Sequence, residues 1–351
     1  MALEGESFRT ATAVVPVFNG AGTLQRCLSS LRLQNATLKE VLVIEDGSRD
    51  GSAEIARSFV REDPRFVIVQ HAVNQGLART LNEGIGRATG DAILILHQDC
   101  ELVREDWVER GLELLGDHPR ISVCGFPEYA FDELTSTEIA FGTIRDTFFT
   151  PDVAVDRLGF SEFKCDLMPG RLARAIRFDV KFRISGEDQV LSAELSESGA
   201  AILRFRQLRY VQRFGNGSSF LHQLRKEMTY AITEAGVLLR TSFRIARLSL
   251  ESRSSSRRLL NRASSSLSAI GLVSCLLLLA AGANWLILVL PLFLVAARVE
   301  STAMRWLALR RTVRLRVQSL ALSLALVPLT DVVYMIGFLA GFVRYATADV
   351  M

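Results

Sequence analysis

Five consecutive apolar residues, Ala92 to Leu96, stop abruptly at His97-Gln98-Asp99. The run is too short for a helix that must hold itself together, and its lack of polar alternation reads as a strand buried on both faces of a parallel sheet. Such a strand commits the surrounding chain to alternate β and α, because helices must cover both faces. It also puts Asp99 just past the carboxyl end of the strand, the edge where open α/β sheets bind ligands. A carboxylate and an imidazole separated by one residue there could share a divalent cation; alternatively, Asp99 caps the next helix.

The flanking segments fit this demand. Ala11 to Val17 is a candidate first strand, followed by Phe18-Asn19-Gly20-Ala21-Gly22, a turn in which backbone can approach a ligand. A helix is expected from about Thr23 to Leu33, with Leu24, Leu28 and Leu31 on one face. Val41 to Ile44 reads as a second strand that ends in the polar loop Glu45 to Ser52. Phe66 to Val69 gives a third strand and Gly76 to Ala88 a helix, before the central strand begins. This alternation predicts a doubly wound, mostly parallel α/β sheet.

The chain has 351 residues, enough for one large domain and something more. Its mean hydropathy of +0.23 is not extreme, but the longest apolar runs all fall after residue 266, which points to a membrane anchor. The N-terminus is polar through Thr10, and the first apolar run is too short for a signal-peptide core, so the N-terminal domain is expected in the cytosol. A net charge of +3 gives no indication of nucleic acid. Cys27, Cys100, Cys124, Cys165 and Cys275 are odd in number and widely spaced, which reads as reduced structural thiols.

Taken together and in order, VVPVFNG at 14–20, VIEDGSRDGS at 43–52, NQGLARTLNEGI at 74–85, ATGDAILILHQDC at 88–100 and GEDQVLSAEL at 186–195 resemble the inverting glycosyltransferases of family 2, which have the GT-A fold. The resemblance covers roughly residues 10 to 240. It implies that Pro16, Val17, Phe18 and Asn19 line the base and ribose of a nucleoside-diphosphate sugar, and that Asp46 hydrogen-bonds the base. Glu45 stands where the family has a first Asp. Ser48 and Asp50 read as turn-shaping and capping residues. Asn74 and Gly76 match the loop that approaches the nucleotide sugar, while Asn82 and Gly84 read as helix packing.

The family's Asp-x-Asp metal motif corresponds to His97-Gln98-Asp99, within the nucleotide-sugar site. Asp99 is thereby expected to bind Mn²⁺ or Mg²⁺ against the diphosphate. His97, in place of Asp, either joins the metal or hydrogen-bonds ribose or phosphate. Asp188 matches the general base, which takes the proton of the acceptor hydroxyl. Arg171, Arg174, Arg177, Lys181 and Arg183 read either as diphosphate contacts or as a solvated basic face. Arg213 or His222 would serve where many relatives carry a histidine.

Domain limits follow: a catalytic domain over 1–240, a basic interface linker over 241–266, an apolar segment over 267–297, a basic loop over 298–319 and a span over 320–343. Phe220 to Leu239 patterns as an amphipathic helix, either on the membrane surface or on the catalytic domain. Leu267 to Ala297 would be about 46 Å long as one helix, more than the roughly 30 Å of a bilayer core. Basic flanks on both sides favour a hairpin, with one tilted span as the alternative. Asp331, a carboxylate inside the last span, is read as structural, bonding either to the hairpin or to a lipid head group. The expectation is a metal-dependent, multi-pass enzyme of the cytoplasmic membrane with a lipid-linked acceptor. Rivals are a polyprenyl-phosphate glycosyltransferase and a binding protein that has lost catalysis. A processive synthase lacks support, because Gln223-Leu-Arg-Lys is the nearest approach to Gln-x-x-Arg-Trp.

Overall fold

Strand β1 (Ala11–Val17) is buried along its whole length and pairs in parallel with β2 (Leu38–Glu45) on one side and β4 (Ala92–Leu96) on the other. These come from a computed structural model, which describes residues 8–182, 185–214, 219–280, 289–315 and 317–348. Helices α1 (Ala21–Arg32), α2 (Ser52–Glu62) and α3 (Leu77–Arg87) alternate with β1, β2, β3 (Phe66–Gln70) and β4. Beyond them lie β5 (Cys100–Leu102), α4 (Trp107–Asp117), β6 (Ile121–Tyr129), α5 (Ser136–Arg145), β7 (Val155–Leu158), β8 (Cys165–Pro169), α6 (Gly170–Ala175), α7 (Glu187–Glu197) and β9 (Ala201–Gln212).

The sheet runs β3-β2-β1-β4-β8-β6-β9-β5, with β7 also on β9. It is parallel from β3 to β4, as the repeat of β and α predicts. It becomes mixed beyond that point, because β8 is antiparallel to both β4 and β6. The side chains of β4 explain its central place. Leu94 and Leu96 enter one core with Leu24, Leu28 and Leu31 of α1 and Trp107 of α4. Ile93 and Ile95 enter the opposite core with Leu81 and Ile85 of α3 and Leu191 and Leu195 of α7. All four are fully buried, each worth about 1.5–3 kcal/mol over exposure. Asn82 fixes α3 as a packing residue: its amide donates to Phe178 O and accepts from Phe178 N, both at 2.9 Å.

The chain divides into two compact units. The first is Met1–Ala130, Thr150–Asn216 and Arg247–Arg253; the second is Phe131–Phe149, Gly217–Ala246 and Ser254–Met351. In the second, α5 stands with α8 (Phe220–Arg240), α10 (Arg253–Ala280), α11 (Val289–Arg310) and α12 (Val317–Ala348); α9 (Arg244–Leu250) falls between α8 and α10 in sequence. Helix α8 packs along α12. Gly337 and Gly341 permit that approach, since a Cβ there would lie 2.8 Å from Met228 O and 2.3 Å from Ile232 O.

Ser255–Ala280 and Val317–Thr347 are long and apolar enough to cross a membrane. Residues 253–266 belong to the continuous helix α10. Asn284 and Trp285, near the middle of the apolar segment over 267–297, lie outside the described residues, as does Arg183. Asp331 is buried and pairs with Arg298 of α11 at 3.3 Å. The same guanidinium donates to Ser265 Oγ (2.8 Å) and Ile144 O (3.2 Å), which satisfies a charge that would otherwise be costly among apolar helices.

Candidate active site

Loops from β1, β2, β3 and β4 share one edge of the first unit because those strands are parallel. Gln98 ties two of them together: Phe18 N donates to its Oε1 and its Nε2 donates to Phe18 O, both at 3.0 Å. Its amide thus carries the register of the β1 and β4 loops. Pro16 and Val17 are buried, whereas Phe18 is 44% exposed and Asn19 lies on the surface.

Ser48 and Asp50 act on backbone, as their residue types predict. Asn19 N donates to Ser48 Oγ (3.0 Å) and Ala21 N to Asp50 Oδ2 (2.9 Å), so both side chains hold the entry to α1. Asp50 Oδ1 also accepts from Ser52 N at the start of α2 (3.1 Å). Burial works against the charged Asp50, but the bonds from Ser52 and Ala21 outweigh it and lower its pKa.

Asp46 is only 3% exposed, and its oxygens are engaged by the chain itself. Gln75 N donates to Oδ1 (2.8 Å) and Gly76 N to Oδ2 (2.9 Å), which fastens the loop carrying Asn74 and Gly76. The side chain of Asn74 is exposed on that loop. His71 Nδ1 lies 2.7 Å from Asp46 Oδ1, and its Nε2 lies 2.8 Å from Glu83 Oε2. Burial disfavours the imidazolium, yet the bonds to Asp46 and Glu83 prevail and raise the pKa of His71. An imidazole bridging two carboxylates, its protonated form favoured by both, therefore supports the loop. Gly76 has φ +94° and ψ 154°, a conformation strained for any other residue.

At the end of β4, Asp99 Oδ2 accepts from Gln212 Nε2 at 3.2 Å. Arg213 is paired with Glu101 at 2.8 Å, and its backbone N donates to Asp99 O at 2.7 Å. The Nε2 of His97 is buried without a hydrogen-bond partner. Burial pushes its pKa down to about 4, partly opposed by Asp99, so the ring is neutral. A neutral imidazole beside a carboxylate suits a divalent cation whose other ligands come from outside the chain. Among the described residues no three His, Cys, Asp or Glu side chains gather into a closed metal cage.

Asp188 lies in the first turn of α7, whose entry is set by Gly186 at φ +97°. Its carboxyl is raised to about 6, first by burial and then by Glu162. Next to it, Glu187 is pushed up as well, by burial and then by Asp188. Glu162 pairs with Lys164 at 2.6 Å, and Lys164 O accepts from His97 N at 2.9 Å. Burial opposes the charge on Lys164, but Glu162 and Asp99 outweigh it and raise its pKa. Glu162 and Lys164 thus form an electrostatic link between Asp188 and the His97–Asp99 pair. Sequence reading missed both, along with His71, Glu83 and Gln212. In the basic stretch, Arg174 donates to Ala88 O at 3.2 Å, while Arg171, Arg177 and Lys181 are exposed.

A sheet that is parallel up to a central strand ending in His-Gln-Asp, then mixed, with a carboxylate at the start of a later helix, has the GT-A fold. Two solved structures share it: S. aureus TarS residues 1–349 in complex with UDP-GlcNAc (13% identity, TM-score 0.52, 97% of this chain and 92% of that one) and the mannosyltransferase PcManGT from Pyrobaculum calidifontis in complex with GDP-Man and Mn²⁺ (15%, 0.51, 97% and 87%). Residues 12–161 match the family described as Glycosyl transferase family 2. The chain's resemblance to the glycosyltransferase EpsH of Bacillus subtilis strain 168 is 34% identity over 113 residues, 32% of each chain. The chain thus spans about a third of that relative's length.

Proposed function

We propose that this chain transfers a sugar, with inversion, from a nucleoside-diphosphate donor to a lipid-linked acceptor at the cytosolic face of a membrane. The observation that carries this reading is the linked cluster of His97, Asp99, Glu162, Lys164 and Asp188 at the carboxyl edge of β4. Asp188 is the general base: at neutral pH its carboxylate is ionised, yet basic enough to take a proton. As the acceptor oxygen bonds to the anomeric carbon, its proton passes to Asp188. The bond from that carbon to the diphosphate oxygen breaks, and its electron pair leaves with the nucleoside diphosphate. Asp99 and His97 would hold Mn²⁺ or Mg²⁺, which offsets charge on the leaving diphosphate. Lys164 adds a positive charge beside them.

The loop of Asn74 and Gly76, fastened to Asp46, positions the donor, and Phe18 and Asn19 offer exposed groups to its base and ribose. The ligands of the two structural neighbours, UDP-GlcNAc in one and GDP-Man with Mn²⁺ in the other, support this donor class and a divalent metal. The apolar helices Ser255–Ala280 and Val317–Thr347 support a membrane setting and hence an insoluble acceptor. The test is nucleotide release by membranes containing the full chain, supplied with UDP-, GDP- and dTDP-sugars, with Mn²⁺, Mg²⁺ or chelator, and with lipid extract as acceptor. Metal-stimulated release from one donor that Asp188→Asn abolishes, with nucleotide binding kept, is expected. Undiminished release by that variant would defeat the assignment of the base.

A further inference from the structure

Between the first turns of α10 and the last turns of α11 lies a cavity of about 630 Å³, lined by Arg257, Asn261, Ser264, Ser301 and Arg305 on its polar side and by Leu260 and Met304 among its apolar residues. The two guanidinium groups differ. Arg257 is neutralised by Asp146, with bonds of 2.6 and 3.0 Å, and stacks over Phe149 at 3.6 Å. Arg305 donates only to neutral oxygens, Asn261 Oδ1 and Thr302 Oγ1, and has no carboxylate within ion-pair distance among the described residues. Its Nε has no hydrogen-bond partner. The cavity therefore keeps one uncompensated positive charge, flanked by hydroxyl and amide groups.

Its rim is apolar. Leu260 is 63% exposed and Met304 57% exposed, on helices whose further turns present Leu267, Ile270 and Leu276 from α10 and Phe293 from α11 to the outside. A soluble anion has no use for such a rim. A lipid does, because its chains continue along the exposed apolar face while its headgroup enters the polar end. Guanidinium binds phosphate oxygens through paired N–H groups, and serine hydroxyls supply further donors.

We propose that this cavity binds the phosphate headgroup of an anionic lipid, with Arg305 as the charged contact. That headgroup is either the phosphodiester of a bulk phospholipid or the phosphomonoester of a lipid phosphate. Lipid binding there does not depend on sugar transfer by the first unit, so it stands or falls separately.

The experiment is native mass spectrometry of the full chain in detergent, titrated with phosphatidylglycerol, dodecyl phosphate, phosphatidylcholine or inorganic phosphate. One tightly held equivalent of an anionic lipid is expected, and whichever of phosphatidylglycerol and dodecyl phosphate binds tighter names the source. Arg305→Gln should weaken it about tenfold, a difference of about 1.4 kcal/mol. Ser301→Trp, which keeps the charge and fills the space, should weaken it at least as much, and guards against misfolding of the first variant. The proposal is overturned if both variants bind lipid as the natural chain does, if phosphatidylcholine binds equally well, or if inorganic phosphate competes at the same affinity as the lipids.

Discussion

Replacing Asp188 by Asn separates the proposed role of this side chain in catalysis from what it costs the fold. Asn keeps the shape and the oxygen that accepts from Gln189 N at 2.8 Å, but removes the charge and the basicity. Loss of a positioned general base lowers turnover by about 10²–10⁴-fold. Stability moves the other way. The carboxyl is raised from 3.8 to about 6, roughly two pH units at 1.36 kcal/mol each, so holding it ionised at neutral pH costs about 3 kcal/mol. Most of that cost is burial, with repulsion from Glu162 next, and Asn incurs neither. For a unit of this size the variant should melt roughly 5–10 °C higher.

Because the folded pKa is raised, the native form binds its proton more tightly than the unfolded chain. The stabilisation from that proton is full below 3.8 and is lost as pH rises through about 6. The advantage of Asp188→Asn should accordingly be largest above pH 6 and vanish toward pH 4. The assay pairs nucleotide release with thermal unfolding of the purified full chain at pH 7.5 and pH 4.5. Equal melting temperatures at pH 7.5, or retained release, would refute the reasoning. In the natural chain the same carboxyl predicts a fall in kcat/KM below pH 6.

Three further outcomes test the rest of the site. Asp99→Asn should abolish stimulation by Mn²⁺ and Mg²⁺ and lower release at least 10²-fold; activity that still responds to chelator would remove Asp99 from the metal site. His71→Leu leaves Asp46 and Glu83 without their bridge, so it should raise the donor KM while changing kcat little, at about 2 kcal/mol of stability. Since the pKa of His71 is raised, its contribution is complete below 6.5 and fades as pH climbs through the folded value, so the donor KM should rise on the alkaline side in the natural chain and stay flat in the variant; the other charged group on Glu83 is Arg87, at 2.9 Å. Gly76→Ala, at φ +94°, should cost about 1–3 kcal/mol and raise the donor KM, measured by unfolding and by initial rates.

The part of the fold that was legible is the part where burial alone decides. Ala92 to Leu96 could be only a two-faced strand, and its position fixed the ligand edge. Asp331 was legible as a pairing residue because an unpaired carboxylate between apolar helices is costly, and Arg298 supplies the pair. The stretch from Glu128 to Asp166 was not legible. Its strands are short, and β8, inserted antiparallel between β4 and β6, carries a buried Asp166 in place of an apolar residue. Glu162 and Lys164 reach the site only through that insertion, so no spacing along the chain announces them. The pattern of helix α8 fits the membrane surface or the catalytic domain alike and does not name α12, along which it packs; that contact is encoded in Gly337 and Gly341 of α12.

His71 lies between these cases. Parallel pairing of β2 with β3 sets Glu45 opposite Gln70, so the next residue on each strand, Asp46 and His71, must emerge side by side. An acid and an imidazole leaving adjacent strand ends will bond if both are buried, and here they do. Strand order and register, once inferred from the apolar runs, therefore reveal this site residue without any family motif. The same reasoning fails for Gln98, because an amide at the end of β4 can face either a ligand or the neighbouring loop, and only the geometry of Phe18 decides which.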